Sequence, residues 1–440
     1  MMQTLIVIPR QIAGVDVFGF GWLLAIWAVV TVGLMAWSLR RHGWQAETRG
    51  QASILAVIGF AIAFVVPMIS EPYGLPIRGY GVLLLIAVLS GVGLSLARAR
   101  RVGVDPEIIL SLATWFFVSG IIGARAFYVI EYWDKFQKPT LLETVAGMIN
   151  LTQGGLVVYG SMLAGGAALV VFVYKYKLPG LALTDLVAPG VVLGVALGRI
   201  GCFLNGCCYG GLSDVPWAMQ FPAGSPAYVD QAQRGQLFVH GLMFQGSGGD
   251  PAIVAEVEAD SPARFAGLEE GQRITAINGM PIGSVEDAQF ELFRTFGGEK
   301  QISIQVSGDP KAKTWTIAGA PPRSRPVHPA QLYSLIDGLL LCFLLLAYEP
   351  YRRRDGELTA LVLTIHPISR FLLEVIRVDE SPVFHTGLSI SQNISIAIFA
   401  GGVLLWIYIL RRPPGCVWPV VRAQRKPQPA YARTTAVPAT

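Results

Sequence analysis

An arginine inside an apolar helix is the first feature of this chain that asks for a chemical explanation. Arg199 stands in Leu197-Gly198-Arg199-Ile200-Gly201-Cys202-Phe203-Leu204-Asn205-Gly206, closing an apolar run that begins near Leu186. A charge at the centre of a bilayer helix costs roughly 2.5–3.5 kcal/mol or more, so it persists where it has a task. The flanking glycines leave the backbone bare for close approach of a ligand. A guanidinium fork matches phosphate oxygens, and the abundant phosphate in a membrane is that of a lipid headgroup. Arg125 and Arg370 also stand in apolar runs. Glu374 follows Arg370 at i,i+4, the spacing of an ion-pair partner.

The elements that position these residues are membrane helices. The chain is 53% hydrophobic and only 14% charged, the signature of a polytopic membrane protein. Runs of about 20 apolar residues predict nine spans, at 17–39, 53–70, 79–98, 107–130, 155–174, 185–206, 328–349, 357–377 and 390–410. Residues 1–10 show no apolar stretch with a small-residue cleavage site, so the first span is expected to stay as an anchor. Basic residues follow every odd span: Arg40 and Arg41, then Arg98, Arg100 and Arg101, Lys175 and Lys177, Arg352 to Arg354, and Arg411 and Arg412. That asymmetry predicts an outside N-terminus and a cytoplasmic C-terminus. The net charge of +5 resides in these short loops, which argues topology and not nucleic-acid binding. Residues 19–43 align without gaps to 79–103, with Gly19/Gly79, Gly33/Gly93, Arg40/Arg100 and Gly43/Gly103 identical. A duplicated helix and the ordinary recurrence of small residues in membrane helices both fit this echo.

A hydrophilic stretch near 211–327 interrupts the membrane part. Ile253 to Val257, Arg273 to Ile277 and Gln301 to Val306 read as strands, with Asn278-Gly279 as a hairpin signal. Ser284 to Phe296 reads as a helix with Val285, Ala288, Phe290, Leu292 and Phe293 on its apolar positions. The expected fold is therefore an all-α membrane protein with a small inserted α/β domain. The segment 411–440, rich in proline and basic residues, reads as a disordered cytoplasmic tail.

The five cysteines show no disulfide framework and no CxxC pair. Cys202, Cys207 and Cys208 are close enough to suggest a metal site or an outer-face disulfide, but read first as small apolar filling in a tight helix turn, and neither metal nor soluble cofactor is expected. No His-Glu-x-x-His helix is present, and Gly160-Ser161 does not match a rhomboid serine motif, so intramembrane proteolysis is excluded.

Two resemblances follow from longer motifs. Residues 238–318 resemble a PDZ domain, on Ser261-Pro262-Ala263-Arg264-Phe265-Ala266-Gly267-Leu268 and Gly271-Gln272-Arg273-Ile274-Thr275-Ala276-Ile277-Asn278-Gly279. Gly241, Leu242, Met243 and Phe244 then fall at the carboxylate-binding loop, with Met243 in place of its second glycine. The resemblance implies a periplasmic peptide or protein ligand that adds a strand; a rigid spacer is the other reading. Residues 76–222 and 323–410 resemble the prolipoprotein diacylglyceryl transferases. The resemblance rests on Tyr80-Gly81, Gly123-Ala124-Arg125, Gly154 to Gly160, Gly198 to Gly206, Trp217 to Pro222, His328-Pro329-Ala330-Gln331-Leu332-Tyr333 and Arg370 to Arg377. Residues 1–75 form an N-terminal extension to it.

That family moves diacylglyceryl from phosphatidylglycerol to the lipobox cysteine thiol of prolipoproteins and releases glycerol phosphate, in the bacterial inner membrane. The resemblance implies that Arg199 and Arg370 act on the phosphate. Arg199, Gly198, Asn205, Arg125 and Tyr80 would bind phosphatidylglycerol, with Glu374, His328 and Gln331 in support. Tyr159 stands where the family usually has a histidine, and His366 where it commonly has a tyrosine. An exchanged pair is expected, with His366 or Tyr159 handling the thiol proton. An inactive relative serving as a PDZ-bearing scaffold is the alternative.

Overall fold

The computed structural model describes residues 4–70, 74–137, 140–150, 155–234, 236–246, 248–295, 301–317, 323–377 and 387–418. Gly154, cited in one motif, and the tail beyond Trp418 lie outside them. The chain opens with strands β1 (Thr4–Pro9), β2 (Gln11–Ile12) and β3 (Val15–Asp16). Helices α1 (Trp22–His42), α2 (Ala46–Phe60) and α3 (Val66–Ile69) follow, a π-turn at Ala61–Val65 joining the last two. Strand β4 (Gly74–Arg78) precedes α4 (Gly79–Arg101), α5 (Pro106–Glu131), α6 (Trp133–Phe136), α7 (Leu141–Ile149), α8 (Val158–Tyr176) and α9 (Gly180–Asn205). The insert holds α10 (Pro226–Gln233), β5 (Leu242–Gln245), β6 (Ile253–Val257), α11 (Pro262–Phe265), β7 (Ile274–Ile277), β8 (Met280–Pro281), α12 (Val285–Thr295), β9 (Gln301–Val306) and β10 (Lys313–Thr316). Three long helices close the chain: α13 (Ala330–Tyr348), α14 (Glu357–Ile376) and α15 (Ile390–Leu410).

Helices dominate because lipid offers no partner for backbone N–H and C=O groups. Eight helices among the described residues are long and apolar enough to cross a membrane, one fewer than the nine expected. The difference lies at 53–70, where the apolar helical stretch is only Leu55–Met68. Its helix starts on the polar residues 47–51, and the π-turn sits just before Pro67, which has no N–H to return to the Ala63 carbonyl. The run 46–69 still reverses the chain: β1, before α1, pairs antiparallel with β4, after α3.

The structure divides into two compact units, one of residues 1–88, 195–337 and 369–393, the other of residues 89–194, 338–368 and 394–440. In the second unit, helices approach through glycine. A Cβ at Gly91 would press on the Gly190 carbonyl, and one at Gly160 on the Gly123 carbonyl. The Ser161 hydroxyl donates to the Gly120 carbonyl at 2.9 Å across the same α5–α8 crossing. Small residues at such crossings allow the close packing that holds membrane helices together. Gly160→Leu is therefore expected to separate α5 from α8 and lower stability by about 2 kcal/mol, read as an earlier thermal transition in detergent. Gly166→Leu, with open space around it, should leave the transition in place.

Polar residues tie the helix ends of this unit. Asp185 is fully buried. It accepts from the Gly356 amide at 2.7 Å and from the Thr359 amide and hydroxyl, each at 2.8 Å, and pairs with Arg352 at 3.1 Å. It thereby caps the N-terminus of α14 from another helix. Arg98, 2% exposed, pairs with Glu349 at 2.6 Å and donates to the Asp185 and Leu186 carbonyls. Residues following α15 are held here as well: the Gly415 amide donates to the Arg353 carbonyl at 2.9 Å, and Arg352 to the Trp418 carbonyl at 2.8 Å. A cavity of about 870 Å³ in this unit is lined by α8, α9 and α15 residues such as Val173, Leu181 and Tyr408, and by no candidate site residue.

The first unit holds the α/β insert. Strands β10-β9-β7-β8 form one sheet and β5-β6 another, linked where the Val254 amide donates to the Gln272 carbonyl at 2.9 Å. Asn278 and Gly279 both have positive φ, 49° and 79°, as the tight turn of a hairpin requires. Val285, Ala288 and Leu292 of α12 pack fully buried against Ile274, Ile277, Ile302 and Ile304. Phe290 departs from the expected apolar face and is 67% exposed.

His240 sets a pH limit on this insert. Its Nε2 lies 3.2 Å from the Leu292 carbonyl and 2.8 Å from the Thr295 hydroxyl. Burial drives its pKa down to about 4, against a smaller opposing effect of the Leu292 carbonyl. The unfolded chain takes up the proton at a higher pH than the folded one. The stabilisation is therefore complete above about 6.5 and is lost as pH falls toward 4. The insert's calorimetric transition in the full chain should drop over that window, and His240→Gln should flatten the dependence.

Candidate active site

Helix α9 carries Arg199 toward its C-terminus, followed within two turns by Asn205. The helix ends because Gly206 adopts φ +75°. The amides of Gly206 and Cys207 both turn back to the Cys202 carbonyl, at 2.9 and 3.2 Å, a glycine-dependent helix stop. Cys208, with φ 60°, continues the reversal. The start of α4 packs across this end: a Cβ at Gly201 would lie 3.2 Å from the Tyr80 ring. Gly198, one residue before the arginine, faces open space.

Arg199 is half-buried, and among the described residues no hydrogen bond or ion pair engages its guanidinium. It lies within electrostatic reach of Tyr80 and Cys208. A half-buried cation with that environment is ready to meet an anion.

Arg370 is engaged on two sides. It pairs with Glu374 at 2.6 Å and donates to the Ser391 hydroxyl at 2.9 Å. Arg377 approaches the same carboxylate at 3.7 Å. Glu374 is 5% exposed, so it fixes Arg370 from a buried seat. Immediately before Arg370, the Ser369 hydroxyl donates to Asp337 at 2.8 Å. Ser391 and Asp337 carried no signal in the sequence, because their partners lie on other helices.

The loop after the signature organises the start of α13. Gly210 and Gly211 exchange backbone hydrogen bonds with His328, and the Gly211 amide also reaches the Ile376 carbonyl at 2.8 Å. A Cβ at Gly210 would collide with His328. His328 lies 3.3 Å from the Tyr333 hydroxyl, which also accepts from the Trp217 indole at 2.7 Å. Gln331 is fully buried and donates to the Cys207 carbonyl at 2.7 Å, while its Oε1 has no hydrogen-bond partner among the described residues. Cys202, Cys207 and Cys208, expected as apolar filling, gather their Sγ atoms within 4.8 Å of one another.

The second unit holds the other three candidates. Arg125 spans four carbonyls, those of Gly147, Met148, Asn150 and Gly155, at 2.7–3.0 Å. It also stacks over the Tyr128 and Phe136 rings. Tyr159 lies in the first turn of α8, beside the Gly123–Gly160 crossing. His366 is half-buried in the middle of α14 and precedes Pro367. Proline frees the Leu363 carbonyl four residues back, and Gly402 of α15 approaches that carbonyl closely.

In the insert, the Leu242 amide is already donated to the Val239 carbonyl at 3.0 Å. Gly241 has φ +81° and is packed against Ser261. Strand β5, with Met243 and Phe244, pairs only with β6 among the described strands.

Comparison with known proteins gives the family. Residues 67–408 match the family model described as prolipoprotein diacylglyceryl transferase. The chain is similar to the phosphatidylglycerol–prolipoprotein diacylglyceryl transferase of Rhodopirellula baltica, 32% identical over 92% of this chain and 88% of that protein. It is also similar to the protein of that name from Synechococcus elongatus, 27% identical over 82% of this chain and 94% of the relative. With eight apolar helices and a glycine-flanked arginine at the end of α9, the chain belongs to the prolipoprotein diacylglyceryl transferase family.

Proposed function

We propose that this chain transfers the diacylglyceryl group of phosphatidylglycerol to the lipobox cysteine thiol of prolipoproteins, forming a thioether and releasing glycerol phosphate. Among the structural observations, the guanidinium of Arg199 supports this reading most strongly, being half-buried and free of hydrogen bonds among the described residues. Its fork takes two oxygens of the phosphodiester. Arg370, held by Glu374 and Ser391, supplies a second cation. Asn205, Tyr80 and the bare backbone at Gly198 take the rest of the headgroup. Arg125, with four carbonyl partners, serves to hold Gly147, Met148, Asn150 and Gly155 against α5. His328 and Gln331 keep the loop after the signature in place.

The reaction displaces a phosphate oxygen from carbon by sulfur. The thiolate is the nucleophile, and the leaving phosphate gains a negative charge as the carbon–oxygen bond breaks. Cations fixed in a water-poor site stabilise that developing charge more than the ground state. His366 accepts the thiol proton and Tyr159 donates a hydrogen bond. His366→Gln should lower transfer by about 100-fold near neutral pH and regain part of the rate as pH rises and the thiol ionises unaided. An unchanged rate would remove His366 from the mechanism.

The chain resides in the bacterial inner membrane, with the N-terminus and the insert periplasmic and the C-terminus cytoplasmic. The basic residues after α1, α4, α8, α13 and α15 support that orientation. The insert is a PDZ-like domain whose β5 edge accepts a peptide strand from a periplasmic protein. The test of the transferase reading uses two labelled phosphatidylglycerols. Label in the acylated glycerol must enter the peptide, and label in the headgroup glycerol must leave as glycerol phosphate. Binding of the lipid without either product favours the scaffold reading, which Tyr159 at the family's histidine position motivates.

A further inference from the structure

The geometry points to a thiophilic metal site formed by Cys202, Cys207 and Cys208, in which a zinc ion binds and activates the substrate thiol. This inference rests on the transferase reading above. The three Sγ atoms lie within 4.8 Å of one another. Zinc–sulfur bonds of about 2.3 Å place sulfurs ~3.8–4.0 Å apart, so small rotations close the site. The sequence spacing i, i+5, i+6 does not bring three side chains onto one helix face. They converge because Gly206 and Cys208, both with positive φ, fold the chain back over the end of α9. The buried Gln331 amide locks that fold through the Cys207 carbonyl at 2.7 Å.

The surroundings suit a catalytic site better than a closed structural one. All three cysteines are half-buried, and among the described residues the cluster offers three ligands, which leaves a fourth position open as catalytic zinc sites do. Zinc with three thiolates carries one negative charge, and a fourth thiolate adds another. Arg199 and Arg377 lie within electrostatic reach of Cys208 to offset them, and Tyr80 lies within reach of all three thiols. The same arginine that meets the phosphate therefore borders the thiol cluster.

The chemistry balances without a redox partner. The lipobox thiol replaces a water on zinc and loses its proton to solvent, since a coordinating thiol is deprotonated outright. Its sulfur then attacks the glyceryl carbon. A carbon–sulfur bond forms, the carbon–oxygen bond breaks, and the electron pair leaves on the phosphate oxygen beside Arg199. The thioether, a weaker ligand, departs from zinc. A free thiol with a pKa of about 8.5 is only a few per cent ionised at pH 7. Full ionisation is worth about 30-fold, tempered to about 10-fold by the lower nucleophilicity of a more acidic thiol.

The test uses the full-length protein, purified reduced in detergent. Zinc alone is titrated and the bound metal counted, with cobalt(II) in its place to reveal thiolate-to-metal absorption. About one zinc per chain is expected, retained by Cys416→Ser and lost from Cys208→Ser and from the triple Cys→Ser variant. Stripping with a chelator should lower transfer about 10-fold at pH 7, with recovery on adding zinc but not magnesium. Full transfer by the stripped protein or by a folded triple variant would overturn the inference and leave the transferase reading intact. So would a disulfide among the three, seen as the loss of two hydrogens by mass. Zinc bound by the cysteines of a protein that transfers nothing would instead overturn the transferase reading and the activating role, leaving only the metal site.

Discussion

Transfer by the Arg199→Ala variant is expected to fall by about 10³-fold. The guanidinium has no hydrogen bond or ion pair among the described residues, so its removal orphans no buried partner and should leave the fold in place. The loss then falls on the substrate. The phosphodiester bears one negative charge before reaction, and its product bears more. The fork therefore contributes more as the carbon–oxygen bond breaks, and kcat should drop further than the apparent affinity for phosphatidylglycerol. Arg199→Lys keeps the charge but loses the paired hydrogen bonds, so it should fall between wild type and alanine. Initial rates over a range of phosphatidylglycerol fractions in mixed micelles measure both parameters. An alanine variant within a few-fold of wild type would mean that the phosphate is held elsewhere.

Replacing Asp185 with alanine is expected to cost about 3–5 kcal/mol of stability, the largest structural effect in the molecule. The carboxylate meets Arg352, the amides of Gly356 and Thr359, and the Thr359 hydroxyl from a position with no solvent exposure. Alanine leaves the buried Arg352 without its nearest anion and uncaps α14, the helix that carries His366 and Arg370. The Asp185→Asn change keeps one acceptor and the shape of the group, so it should recover part of the loss. Thermal unfolding of the detergent-solubilised variants reads the difference. Equal midpoints for alanine and wild type would show that Asp185 contributes nothing net.

How much of this was legible in the sequence depends on how local each signal is. Arg199 stood out because glycines flank a charge in an apolar run, a pattern confined to ten residues. The Arg370–Glu374 pair follows from i,i+4 spacing on one helix. The Asn278-Gly279 hairpin follows from the positive φ that those two residues tolerate. Asp185 is different: the partners of its carboxylate lie at least 167 positions away, and no window along the chain contains them. The three cysteines were noticed but read as filling, because the reversal at Gly206 breaks the helical period that spacing arguments use. Phe290 was read among the apolar positions of its helix by composition, whereas Val285, Ala288, Leu292 and Thr295 keep the 3–4 spacing that points inward. The span expected at 53–70 was counted by apolarity alone, which overlooked the polar start of its helix.

The most direct measurement is the mass of a lipobox peptide after incubation with the purified protein and phosphatidylglycerol, run beside Arg199→Ala. The expected result is a gain of one diacylglyceryl group on the cysteine sulfur, resistant to thioester cleavage and nearly absent with the variant. A peptide of unchanged mass, from a folded protein in its reduced and zinc-loaded form, would contradict it.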